Sequence, residues 1–351
     1  MTDIEFCHLS CHSGGMTMHT RPLGTTGPRV SALGLGCMGM SALYGEADRS
    51  EAIATIHAAL DAGVTLLDTG DFYGMGHNEL LIGEALRTAP AGLREQALTS
   101  VKFGSMRDPD GGWGPIDGRP AAVRNFAAYS LQRLGVDHID VYRISRADPD
   151  VPFEETVGAI AELVQQGHVR HIGLSEVGAD TVRRAAATAP ITDLQIEYSL
   201  ISRAVEDQIL PTTRELGISV TAYGVLSRGL ISGHFTADRQ LSPGDFRAHS
   251  PRFQGDNLRH NLTLVDALRE IASRKGVTVA QIAIAWVLSR GEDIVPLVGS
   301  RTRERLTEAL GALDVTLDEA DLAAIERAVP PGAAAGARYP EQQMAHLGTK
   351  E

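Results

Sequence analysis

The feature that most limits how this chain can fold is an order of segments. From residue 29 onward, short apolar runs rich in β-branched residues alternate with amphipathic stretches of helical spacing. Strands are predicted at Arg29–Leu35, Thr65–Asp68, Ala97–Lys102, Ile139–Ile144, His171–Ser175, Leu194–Glu197, Ser219–Tyr223 and Ile294–Leu297. Helices are predicted from near Asn78, and at Val123–Leu134, Phe153–Gln166, Thr181–Ala189, Val205–Leu216 and Arg303–Gly311. Eight such units in about 300 residues point to one closed parallel (β/α)8 barrel, the TIM-barrel class of α/β protein, in a single domain. An open doubly wound sheet would want a glycine fingerprint and a short βαβ unit at its start. The stretch Leu33–Gly39 has glycines, but no helix follows them at once.

The barrel domain is expected over residues 18–330. Residues 1–17 are polar and Gly-rich and read as a disordered extension. Cys7-His8 and Cys11-His12 lie there without a second ligand pair, and no cluster in the chain has metal-ligand spacing. Residues 331–351 read as a tail near the active site. Two further long loops, Phe103–Pro120 and Leu226–His260, follow strands three and seven, on the face where barrel enzymes do their chemistry. His249 and His260 in the second loop are candidate substrate contacts. The acidic run Asp314, Glu319, Asp321 and Glu326 reads as a solvated surface. The net charge of −12 argues against general binding to nucleic acid or an anionic membrane and leaves a local basic patch open. Three cysteines, no secretion signal and no apolar run of membrane-spanning length make the cytoplasm the expected compartment.

Apolar strands end, one after another, in polar groups. Strand two ends in Leu67-Asp68-Thr69-Gly70-Asp71-Phe72-Tyr73, strand three in Val101-Lys102 and strand four in Ile144-Ser145-Arg146. Strand five ends in Ser175-Glu176, strand six in Gln195-Ile196-Glu197 and strand seven in Tyr223. In a parallel barrel these ends meet at one rim. A Lys buried there needs a counter-charge, which Asp68 can supply. An ammonium near Tyr73 would favour its tyrosinate and make the phenol a usable acid or base. A structural Asp–Lys pair with a Tyr packed beside it fits the same spacing.

At these residues the chain resembles the aldo-keto reductase family, from about Arg21 to Arg327. "GVTLLDTGDFYGMGHNELLIGEAL" is similar to the family stretch with its Asp and Tyr, and "LTSVKFG" to its Lys stretch. "VRHIGLSE", "LQIEYSLISR", "AYGVLSRGLISG" and "PLVGSRTRERLTEALGAL" are similar to its cofactor-binding segments. The resemblance implies an NADPH-dependent oxidoreductase that reduces an aldehyde or ketone reversibly, with Tyr73 moving the proton, Lys102 tuning it and Asp68 holding Lys102. It also implies that Tyr223 stacks on the nicotinamide, that Ser175, Glu176 and Gln195 meet the carboxamide, and that Gly36, Cys37 and Met38 lie near that ring. Gly224, Val225, Leu226 and Arg228 would embrace the pyrophosphate. Gly299, Ser300, Arg301 and Arg305 would meet the 2′-phosphate end, and Glu308 the adenine. Arginines at a helix start suit a phosphate, which favours NADPH over NADH.

The chain departs from the family pattern in three places. Ser145, in "YRISRADP", stands where the family usually has a catalytic His, as in "YLLHRPDP". Ser is shorter and does not titrate near neutral pH. Either Ser145, a water or a nearby Arg orients the carbonyl, or turnover is weak. Glu176 takes the place of an Asn, and Ala309 that of another. Two other functions fit parts of this pattern. One is a cofactor-binding regulatory or scaffold protein on the same barrel, like potassium-channel β subunits. The other is a Schiff-base aldolase using Lys102, which leaves the phosphate-site arginines without a role.

Overall fold

The computed structural model describes residues 18–41, 43–242, 244–344 and 347. The extension expected over residues 1–17, with its two Cys-His pairs, lies outside them. Eight strands form the barrel: β1 Gly34–Gly36, β2 Leu66–Gly70, β3 Leu98–Phe103, β4 Ile139–Ile144, β5 Val169–Ser175, β6 Ile191–Glu197, β7 Ser219–Tyr223 and β8 Ile294–Gly299. Each is hydrogen-bonded in parallel to the next, and β8 returns to β1, so the barrel closes. The helices are α1 Arg49–Asp61, α2 His77–Thr88, α3 Pro120–Leu134, α4 Phe153–Gln165, α5 Ala179–Thr188, α6 Ile209–Glu215, α7 Gly255–Lys275, α8 Val279–Ser289, α9 Arg303–Leu310 and α10 Glu319–Ala328. No single described helix is long and apolar enough to cross a membrane.

Local chemistry sets these boundaries. Pro120 occupies the first turn of α3, where its missing N–H costs nothing, and Gly135 ends the helix at φ 67°. Thr278 and Gln281 cap α8 reciprocally, as Asp318 and Asp321 cap α10. Along α4, Phe153, Val157, Ile160 and Leu163 are buried on one face against the barrel.

Several predicted spans need correction. The strand expected over Arg29–Leu35 is two pieces. Arg29–Ser31 pairs antiparallel with Thr20–Pro22, and only Gly34–Gly36 enters the barrel. Ser31 makes the break: it exchanges hydrogen bonds with Thr65 at 2.9 Å and its hydroxyl donates to the Leu33 carbonyl at 2.7 Å. The hairpin closes the barrel's floor, where Leu23 and Val30 pack with Leu66, Val141, Val295 and Leu297. The helix expected over Val205–Leu216 shortens to α6, because a start at Val205 would put Pro211 in its interior. The loop expected over Leu226–His260 ends at Gln254, so His260 lies on α7, its Nε2 2.8 Å from the Ala333 carbonyl. The acidic run is not simply solvated: Asp321 bonds Lys275 and Glu326 pairs with Arg203.

Candidate active site

The strand register brings polar side chains to one rim. Asp68 of β2 lies level with Ser100 of β3, and Lys102 level with Arg143 of β4. Gln195 of β6 is level with Ser175 of β5 and Thr221 of β7. Asp68 is buried and fully used: Oδ1 accepts from Lys102 Nζ at 2.5 Å, and Oδ2 from Ser100 Oγ at 2.9 Å and Gln195 Nε2 at 2.7 Å. The Lys102 ammonium stands 5.1 Å from the centre of the Tyr73 ring. Burial lowers the Lys102 pKa, and Asp68 opposes the shift. Asp68, Tyr73 and Lys102 therefore come together at the mouth.

Tyr73 itself is buried, with its ring edge-on to Phe72. Burial pushes its phenol well above the ordinary value; Asp68, Tyr44 and Tyr339 add to this, and Arg146 pulls the other way. At neutral pH it is therefore a protonated acid. Below the mouth, Arg143 pairs with Asp193 at 3.1 Å, both buried, and donates to Ser100 Oγ at 3.1 Å.

The other expected residues divide into groups. Ser145 is buried, and its hydroxyl is 2.7 Å from Ser105 Oγ on the loop after β3. The Cys37 N–H donates to the Asp68 carbonyl, and its own carbonyl accepts from Asn78. Burial raises the Cys37 thiol pKa far above the ordinary value, so it is inert. Glu176 sits at φ 53°, a left-handed conformation where Asn is more at home. Its Oε1 accepts from Tyr223 Oη at 2.7 Å and from the Glu197 N–H at 2.9 Å, and Arg338 reaches both oxygens at 3.3 Å. Burial opposes its ionisation, yet Arg338 and Arg146 hold its carboxyl below the usual range.

Two tail residues enter this network. Tyr339 Oη is 2.9 Å from Tyr223 Oη, and Arg228 donates to the Arg338 carbonyl while lying 4.4 Å from the Tyr339 ring centre. Sequence reasoning missed both. The only signal was Arg338-Tyr339-Pro340 standing out from a tail of Ala and Gly. It also missed Tyr44, Arg239 and Arg247, in loops that carry no periodicity.

After β8, Arg301 donates to the Tyr44 carbonyl at 3.0 Å. Burial lowers the Arg301 pKa, and the nearby Arg247 and Arg239 charges add to this. Arg305 at the start of α9 bonds Glu308 at 2.9 Å and His234 Nε2 at 2.6 Å. A cavity of about 300 Å³ opens beside the mouth, between the loop after β3 and α3. Asp71, Phe72, Met106, Arg107, Phe126 and Tyr129 are among its walls.

The sequence matches the profile described as "Aldo/keto reductase family" over residues 32–330. The chain belongs to that family. It is 43% identical over 320 residues to a protein named "Probable aldo-keto reductase 1" of Glycine max, covering 90% of each chain. Among solved structures it resembles a glycerol dehydrogenase of Gluconobacter oxydans, with TM-score 0.80 and 27% identity over 96% of this chain and 98% of that one. It also resembles the holo form of an aldo-keto reductase of Bacillus halodurans, with TM-score 0.72 and 28% identity over 90% and 98%. The aldo-keto reductases are oxidoreductases that act on small molecules and generally use nicotinamide cofactors, and the closed eight-stranded barrel here is their fold.

Proposed function

We propose that this aldo-keto reductase is an NADPH-dependent enzyme that reduces an aldehyde or ketone to the alcohol, reversibly, with Tyr73 as proton donor. The observation that carries the reading is the buried Asp68–Lys102 pair beneath the Tyr73 ring. An ion pair so placed costs desolvation, and a purely apolar core would have been cheaper. We take residues 18–330 as the catalytic barrel, residues 331–351 as a tail beside the mouth, and the cytoplasm as the compartment, in keeping with the few cysteines.

The residues present suit a dinucleotide. Gly224 at φ 66°, with Ser227 and Arg228 also at positive φ, bends the loop after β7. The Ser227 hydroxyl there is buried with no partner among the described residues, as a phosphate donor would be. Gly224, Val225, Leu226 and Arg228 would hold the pyrophosphate, and Tyr223 with Ser175 and Gln195 the nicotinamide end. Glu176, already bonded to Tyr223 and Arg338, would act by positioning Tyr223. Gly36, Cys37 and Met38 would bound the nicotinamide pocket. Gly299, Ser300, Arg301 and Arg305 would take the 2′-phosphate with help from Arg247, and Glu308 would orient Arg305.

Bound NADPH supplies the hydride. Tyr73, held protonated by burial, gives its proton to the carbonyl oxygen. Lys102, fixed by Asp68, then stabilises the tyrosinate across the ring. Ser145 keeps the loop after β3 tied to β4 through Ser105 and so shapes the substrate side.

The test is purified protein with NADPH and a panel of reactive aldehydes, followed at the nicotinamide absorbance. Turnover lost by more than about a hundredfold in Tyr73→Phe is expected. Tight NADPH binding without turnover on any substrate, unchanged in Tyr73→Phe, would replace the reading with the cofactor-binding scaffold. Trapping of substrate on Lys102 by borohydride would replace it with an aldolase.

A further inference from the structure

We propose that Arg146 is a catalytic residue: its guanidinium donates to the substrate's carbonyl oxygen beside Tyr73 and stabilises the negative charge that builds there. The inference rests on the reductase reading above. As the carbonyl carbon accepts hydride with its electron pair, the π pair of the C=O bond moves onto oxygen, and that oxygen takes the Tyr73 proton. Bound NADPH would supply that hydride and be oxidised in doing so, and solvent restores the Tyr73 proton. One lone pair of the oxygen faces Tyr73. The other needs a donor placed in advance, in a site from which water is withdrawn.

The donors at the mouth can be taken in turn. The Lys102 charge is matched by the buried Asp68 carboxylate, and its ammonium lies over the Tyr73 ring. Ser145 Oγ faces Ser105, and Tyr223 Oη is shared between Glu176 and Tyr339. Arg228 and Arg338 pair with the carboxylates of Glu197 and Glu176. Arg146 stands apart from these. Its one hydrogen bond among the described residues runs from Nη1 to the Ser145 carbonyl at 2.6 Å, and it makes no ion pair there. A guanidinium has five N–H donors in a fixed fork, so most of this one is unspent.

Its position fits the role. Arg146 is the second residue beyond β4, half-buried, with its charge bearing on Tyr223, Tyr339, Glu176 and Tyr73, and its Cζ is 6.0 Å from the Tyr339 ring centre. It lies beside Tyr339, whose hydroxyl is 2.9 Å from that of Tyr223, and its charge is felt at Tyr73, so it borders both the proposed proton donor and the proposed nicotinamide platform. The Ser145 hydroxyl is engaged with Ser105 at 2.7 Å. Because a guanidinium does not titrate, the protein gains a carbonyl activator whose charge is independent of pH.

Arg146→Met and Arg146→Lys test this. On neutral aldehydes, kcat should fall roughly a hundredfold to a thousandfold in Arg146→Met and less in Arg146→Lys. KM and NADPH affinity should stay within about threefold. A second readout needs no turnover: 2,3,5-trifluorotyrosine placed at position 73 reports its own ionisation by fluorine NMR. Its midpoint should rise by about one pH unit or more when Arg146 becomes Met. An unmoved midpoint, or unchanged kcat, overturns the proposal. So does a loss confined to carboxylate-bearing aldehydes and to KM, which would make Arg146 an anchor for an anionic substrate. If the wild-type protein turns over nothing in the panel, the reductase reading fails and this proposal with it. If only the Arg146 effects are absent, the reductase reading stands alone.

Discussion

Replacing Asp71 by Asn probes the electrostatics behind the mouth. Asp71 follows β2 in the turn toward Tyr73; it is 7% exposed, and its Oδ1 has no partner among the described residues. Burial, and then the negative charge of Glu79, push its carboxyl up to about 8, against the pull of Arg133 and of the Phe72 and Gly104 N–H groups. In the unfolded chain the same group ionises near 3.8. Between those values the folded protein keeps a proton that the unfolded chain has lost. The stability linked to Asp71 is therefore complete below pH 3.8 and is lost as pH rises toward 8. Each pH unit in that window removes up to about 1.4 kcal/mol, and the loss reaches about 4 kcal/mol by pH 7. Asn keeps the shape and binds no proton, so Asp71→Asn lacks this dependence. Urea unfolding of both proteins at pH 5, 6, 7 and 8 is the assay. The Asn protein should gain on the wild type by about 1 kcal/mol per pH unit, reaching several kcal/mol near pH 7.5. Glu79 is also raised by burial and changes stability in the same direction, but in both proteins, so the comparison cancels it. Parallel curves would mean that Asp71 is hydrated or paired, and the burial argument would fail.

Two other substitutions read the site directly. Lys102→Met leaves the Asp68 carboxylate, 5% exposed, with only the neutral donors Ser100 and Gln195, so urea unfolding should show a loss of about 3–5 kcal/mol. Adding Asp68→Asn should restore most of it, and a loss under about 1 kcal/mol would place the pair in water. Arg305→Ala should weaken NADPH more than about tenfold in a calorimetric titration and leave NADH little changed, as a charged phosphate contact requires. Equal losses for both cofactors would move the 2′-phosphate elsewhere.

The barrel was legible because its signal is local and repeated. Most strands are apolar runs and the expected helices amphipathic ones, whereas α8, buried on nearly every side, gave no such period; strand ends such as Asp68, Lys102 and Gln195 needed only the parallel order to meet. The misreadings come from contacts that local pattern does not encode. Arg29–Leu35 is one apolar run by composition, yet the Ser31–Thr65 exchange splits it between floor and wall. Tyr339 and Tyr223 meet across 116 residues, and Arg338 and Glu176 across 162, with no spacing to announce either. Glu176 was read as a carboxamide ligand from its place in a motif, while the folded chain gives its oxygens to Tyr223, Glu197 and Arg338. Arg146 is a different case. It is plain in the sequence beside Ser145, but its proposed role rests on donors left free of the described residues, which emerges only once the partners of the other groups are known.

Charge ties these observations together. The chain as a whole carries −12, yet guanidinium groups gather at its mouth. Arg146, Arg228, Arg252 and Arg338 stand around two carboxylates, Glu176 and Glu197. Beyond the end of β8, Arg239, Arg247 and Arg301 gather near the carboxylate of Asp245. Like charges held together in a half-dry site cost stability unless an anion arrives to offset them. An acidic exterior with a positive mouth confines attraction to small anions that can enter it and turns away extended polyanions. The gathering of guanidinium groups at these strand ends suits the phosphate-bearing cofactor proposed above.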